Sequence, residues 1–183
     1  MPEVALLEGG DGVEIVEVLV HDMRDVPFAA YPRLGRPFGV YVVLADRSFS
    51  ESDLATWQAV SALLVLLGCR SFWLYGRDVR AFEDASDRGV VGIYEATARE
   101  PALMPAEGIG RGGRTAITAV VGSLDELALF LAWERGEPKD DPRYAWRLLV
   151  VFSAEDRERA RAALARELAQ NDDTDEPSSD RLE

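Results

Sequence analysis

The chain has 183 residues, 48% of them hydrophobic, with four tryptophans, one cysteine, one histidine and a formal net charge of −13. That is enough apolar material for one folded domain. The acidity counts against nucleic acid and anionic membranes as partners, because both need a basic face, and a single cysteine excludes an intramolecular disulfide and a multi-thiolate metal site.

The first residues, MPEVALLEGGDGVE, lack the basic region and continuous apolar stretch of a signal peptide, so the expectation is a cytoplasmic protein. Residues 13–20 (VEIVEVLV) predict a strand whose partial polar alternation suits a sheet edge. Pro27, Pro32 and Pro37 then mark an extended connector. Residues 1–37 thus read as an edge strand and linker ahead of a core domain at 38–170.

Within that core, two kinds of segment alternate. The β-branched run GVYVVLA (39–45) predicts a strand buried on both faces. Residues 52–67, rich in Ala and Leu and introduced by capping residues, predict a helix that Gly68 stops. The cycle repeats as strand 70–75 and a short helix 78–87, strand 115–121 and helix 123–134, strand 146–152 and helix 154–169. In the last helix Ala160, Ala163, Leu164 and Leu168 form one apolar stripe, the pattern of a helix laid on a sheet. Four strand–helix units in series imply a single-domain, three-layer α/β/α fold with a mostly parallel, doubly wound sheet, Rossmann- or flavodoxin-like. Two long loops, 96–114 and 135–145, interrupt it. The tail from Asn171 holds six acids, one Arg and one Leu, a composition that predicts disorder.

Open α/β sheets bind ligands beyond the carboxyl ends of their strands. The polar residues expected there are Asp46, Arg47, Arg77, Asp78, Asp84, Asp87, Ser123 and Ser153. Several have an ordinary structural role available. Ser123-Leu-Asp-Glu126 has the form of a capping box, and Ser153-Ala-Glu-Asp156 the related S-x-x-D form. Asp78, Glu83, Asp84 and Asp87 suit the exposed face of a short helix, although Asp46 and these carboxylates are also the groups that would hold Mg²⁺. No tight ligand spacing selects a metal, and no metal or cofactor is assigned.

Gly108, Gly110 and Gly113 satisfy G-x-G-x-x-G, but they precede a strand instead of following one, so no helix N-terminus would face a pyrophosphate. His21 and Asp22 are neighbours on a predicted strand end and point to opposite faces. Cys69 falls against a buried strand, where cysteine behaves as a small hydrophobe.

The run Leu67-Gly-Cys69, Trp73-x-Tyr75-Gly76-x-Asp78 and Phe82-x-Asp84-x-x-Asp87, with the later Ser123-x-Asp125-Glu126-Leu127, resembles short bacterial α/β proteins of unknown function. The resemblance spans about residues 38–152. It implies the α/β fold and a bacterial origin, and carries no activity. Phe82 stands where such proteins have Trp, and no His accompanies the aspartates.

The deficit of catalytic groups, the acidity and the acidic tail lead to one expectation. This is a non-catalytic binding or regulatory protein, immunity- or antitoxin-like, whose partner is another, basic protein. The alternative is a small-ligand sensor or Mg²⁺-dependent enzyme using the strand-end crevice.

Overall fold

The computed structural model describes residues 2–10, 12–33, 36–99, 116–133 and 145–172. The glycine motif at 108–113, the loop at 135–144 and the tail from 173 onward lie outside them. The sequence Glu3–Glu8 forms β1, Glu14–Leu19 β2, Val26–Ala30 α1, Phe38–Ala45 β3 and Glu51–Leu66 α2. Cys69–Gly76 is β4, Val79–Arg99 α3, Ile117–Val120 β5, Leu124–Ala132 α4, Trp146–Val151 β6 and Ala154–Asp172 α5.

The strands form one six-stranded sheet in the order β1-β2-β6-β3-β4-β5, parallel throughout except for the antiparallel β1–β2 pair. Strand side chains alternate between faces, and so does the core. Val40, Val42, Phe72, Leu148 and Val150 pack with Trp57 and Leu64 of α2 and Phe82 of α3. Tyr41, Val43, Leu149 and Val151 pack with Leu127 and Leu131 of α4 and Ala160 and Leu164 of α5. Helices therefore cover both faces, α1 to α3 on one and α4 and α5 on the other. Placing β6 between β2 and β3 departs from the two common doubly wound orders, in which the second strand of the series lies beside the first.

Three local expectations need correction. Residues 13–20 do not form an edge: β2 lies between β1 and β6. The acids that suggested an edge are held in place, Glu17 fully buried against Arg161 and Glu14 bonded to Arg33. The true edge strand, β1, is the short run EVALLE. The proline segment is not extended. Pro27 stands in the first turn of α1, where its missing N–H costs no hydrogen bond, and 3₁₀ turns at Met23–Asp25 and Tyr31–Arg33 flank it. Residues 3–33 are therefore built into the same sheet-and-helix unit as the core.

The helix expected at 78–87 continues to Arg99, through Gly89 and Gly92. Gly89 interrupts no helix because it serves a contact. A β-carbon there would stand 2.5 Å from the Gln58 carbonyl oxygen and 3.1 Å from the Ala62 nitrogen, so α3 lies almost backbone-to-backbone on α2. The same seam buries Trp57, whose indole N–H donates to the Ser86 hydroxyl at 2.8 Å. Ser86 in turn donates to the Phe82 carbonyl.

Helix ends follow the sequence closely. Ser50 and Asp53 make a reciprocal capping box at α2, and Gly68 ends that region at φ +112°. On the sheet, the wholly buried Arg147 donates to the carbonyls of Leu131 and Ala132 at the end of α4, the terminus where a cation is favoured.

Candidate functional site

Two concavities stand out on the described surface. The first is a cleft of about 200 Å³ at the carboxyl ends of β3 and β4, where those strands meet the amino termini of α4 and α5. Val43, Asp46, Tyr75, Gly76 and Arg77 form the strand side, and Leu124, Asp156 and Arg159 the helix side. Its position is the one expected of a ligand crevice, because the connections after β3 and β6 leave the sheet toward opposite faces.

Of the expected crevice residues, Asp46 and Arg77 line it. Gly76 takes φ +140°, a conformation that favours glycine, and turns the chain so that Arg77 emerges exposed. Ser123 and Ser153 stand beside the cleft as caps. The Ser123 hydroxyl accepts from the Glu126 amide at 3.0 Å, and the Glu126 carboxylate accepts from Gly122. The Ser153 hydroxyl accepts from the Asp156 amide and donates to the Asp156 carboxylate at 2.6 Å.

The other four do not join them. Arg47 is drawn away, its guanidinium carbon 5.2 Å from the Phe49 ring centre and 5.4 Å from that of Phe152. Asp78 precedes α3, its main-chain carbonyl accepting from the Ala81 and Phe82 amides. Asp84 and Asp87 are exposed on α3. Sequence reasoning missed Tyr75, Asp156 and Arg159. The S-x-x-D pattern marked Asp156 as a cap, while Arg159 reads as one more surface charge on α5 until the helix is docked.

Among the described residues no group of three or more His, Cys, Asp and Glu side chains is placed to hold a metal ion. His21 is exposed. Cys69 is 1% exposed, its thiol donating to the Ser71 carbonyl, and burial pushes its pKa far above the usual thiol range. It is a packing residue.

The second concavity is a groove of about 510 Å³ between α1 and α2, lined by Arg24, Pro27, Ser52, Ala55, Thr56, Ala59, Val60 and Leu63. Its origin is visible in the composition of α2, which has no charged residue from Leu54 to Leu66. A helix that is apolar on all sides belongs in an interior, yet this one leaves Ala55, Ala59 and Leu63 exposed. Next to Pro27 of the lining, Phe28 of α1 and Tyr31 of the 3₁₀ turn that follows it stand three residues apart in the chain. They are 69% and 68% exposed, and Leu63 is 43% exposed.

The mouth of the groove is charged but balanced at Arg24. Its guanidinium spans both oxygens of Asp22, and this contact holds the Asp22 carboxyl down at about 2. The pair therefore stays ionised at every pH above that value. No described helix is long and apolar enough to cross a membrane.

No protein-family model matches this chain. No curated protein matches it either.

Proposed function

We propose that this chain is a non-catalytic, cytoplasmic protein-binding protein, immunity- or antitoxin-like, that holds a basic partner through its α1–α2 face. The observation that carries the reading is the exposed apolar stripe of α2 along the groove, together with the exposed rings of Phe28 and Tyr31 on the neighbouring α1 segment. Exposed aromatics beside an apolar groove are the usual anchors of protein interfaces. The net charge of −13 adds long-range attraction for a basic partner and speeds its encounter. The acidic composition of the tail acts in the same direction.

The test is reconstitution with the proteins encoded by neighbouring genes. One of them should coelute with this chain, more weakly as salt rises. Tyr31→Ser with Leu63→Gln should weaken the complex by about tenfold or more, the scale of losing one buried leucine or ring. If no salt-sensitive complex forms, the reading is wrong.

A second reading, a small-ligand sensor or Mg²⁺-dependent enzyme at the cleft, is favoured by one observation. Arg77 reaches the cleft without a carboxylate partner among the described residues, whereas Arg157, Arg159, Arg161 and Arg166 of α5 all have one. A thermal-shift screen with nucleotides, sugar phosphates and divalent cations decides it. A ligand of this site raises the melting temperature by several degrees, and Asp46→Ala or Arg77→Ala removes the rise without loss of folding. A flat screen ends this reading.

A further inference from the structure

The groove also specifies what kind of segment it can take, and this inference rests on the protein-binding reading above. Three features constrain the occupant.

The first is length and shape. β2 and β3 are parallel, so α1 and α2 both run from the carboxyl end of the sheet toward its amino end, side by side. The lining of α2 extends from Ser52 to Leu63, about 16 Å at the helical rise, or three turns. The second is hydrogen-bonding capacity. The α2 wall is helix interior, whose main-chain groups are paired along the helix, Pro27 of the facing wall has no N–H, and the Thr56 hydroxyl donates to the Ser52 carbonyl. The apolar stretch of the groove offers nothing to an incoming main chain. Only a segment that satisfies its own backbone can lie there without stranding polar groups, which selects a helix over an extended strand. The third is charge. At the carboxyl end of the groove, Asp22 and Asp25 flank Arg24 in the chain, and Glu51 and Asp53 flank Ser52. Asp22 is held by Arg24 and Asp53 by the Ser50 cap, which leaves Asp25 and Glu51 as the carboxylates with no salt bridge among the described residues. No charge interrupts α2 beyond Asp53 until its end. The surface is thus acidic at one end and apolar along the rest.

We infer that the α1–α2 groove receives an amphipathic helix of the partner protein. Its apolar stripe, at i, i+3 or i+4 and i+7 spacing, lies against Phe28, Tyr31, Ala59 and Leu63. Lys or Arg residues at one end of that helix meet the carboxylates around Arg24 and Ser52. A second copy of this chain is disfavoured as occupant, because it would bring the same carboxylates and the same net charge.

The experiment uses the full chain and a fluorescein-labelled synthetic helix of about four turns. The helix carries a leucine stripe at the stated spacing, with lysines at its amino end, lysines at its carboxyl end, or glutamates in their place. Fluorescence anisotropy reads binding, and circular dichroism reads the gain of helix. One of the two lysine peptides should bind and become helical. Leu63→Gln with Tyr31→Ser should weaken it about tenfold or more. Glu51→Gln with Asp25→Asn should weaken it about three- to tenfold, with the melting temperature lowered by no more than a few degrees because Glu51 stands in the first turn of α2. All four positions are at least partly exposed, so the variants should fold.

Two results overturn the inference at the level of specificity: binding untouched by the groove variant, which marks non-specific attraction to an acidic protein, or equal binding of the glutamate peptide. Absence of peptide binding also overturns it. If sedimentation then shows a dimer that Leu63→Gln dissociates, the groove takes a second copy. If instead a neighbouring gene product binds and the groove variant weakens it, the docking face stands and only the basic helix falls.

Discussion

Gly89→Ala is expected to lower the stability of the fold by about 1–3 kcal/mol, the usual scale of overpacking. This runs against local propensity, since alanine is the better helix residue by about 1 kcal/mol. The packing term wins because the atoms in the way are main chain. The Gln58 carbonyl oxygen, 2.5 Å from the new β-carbon, cannot swing aside as a side chain could. Relief requires α3 to lift from α2, and that opens the seam holding Trp57, Phe82 and Ser86. Gly92 is the internal control. It is exposed on the same helix, and a β-carbon added there would meet nothing within 4 Å, so Gly92→Ala should stabilise by about 0.5–1 kcal/mol. Urea melts at unchanged m-value would show midpoints moving in opposite directions. Two midpoints rising together would mean that α2 and α3 leave room for a methyl group at their crossing.

The second large effect concerns the pair joining α5 to the sheet. Glu17 is 1% exposed in β2, and its two oxygens accept from Arg161 at 2.8 and 2.7 Å. Arg161→Ala would leave a carboxylate inside the protein without its cation. Breaking a buried pair in this way costs about 3–5 kcal/mol. Arg161 is itself 37% exposed, so water can partly replace it, and about 2–3 kcal/mol is the expected loss. Replacing both partners by leucine should recover most of that loss, since no buried charge then remains. If the double variant is as unstable as Arg161→Ala alone, the destabilisation comes from lost packing and not from the orphaned carboxylate.

How much of the fold was legible in the sequence depends on whether the deciding contact was local. β3 and β6 were readable because strands buried on both faces are apolar along most of their length, as VYVVL and LLVV are, and β4 by its run FWLY. Helix starts were readable because Ser50, Ser123 and Ser153 bond residues only three positions on. β1 was missed because an edge strand beside a single neighbour tolerates the mixed pattern EVALLE. α1 was missed because Pro27 and Pro32 read as breakers, although the first turn of a helix accepts proline. The far half of α3 was missed because the reason for Gly89 lies in Gln58, about thirty residues upstream.

The same rule applies to the candidate sites. Asp46 and Arg77 follow directly from strand ends. Arg47 stands beside Asp46 in the chain yet turns to the rings of Phe49 and Phe152. The groove left one sequence signal, the charge-free stretch of α2. Its meaning depended on α1, whose aromatics looked like loop residues until the segment was seen to be helical.

The place of β6 carries a consequence for how the molecule is made. β2 and β3 do not pair with each other; each pairs with β6, the last of the described strands in chain order. Before residues 146–151 are made, the pairings left to the chain are β1 with β2 and β3 with β4 and β5, with the β2 and β3 edges that β6 covers still open. The final strand is the keystone that turns two fragments into one sheet. Synthesis halted before Trp146 should therefore release a species prone to aggregation, in which neither fragment can shield its edge.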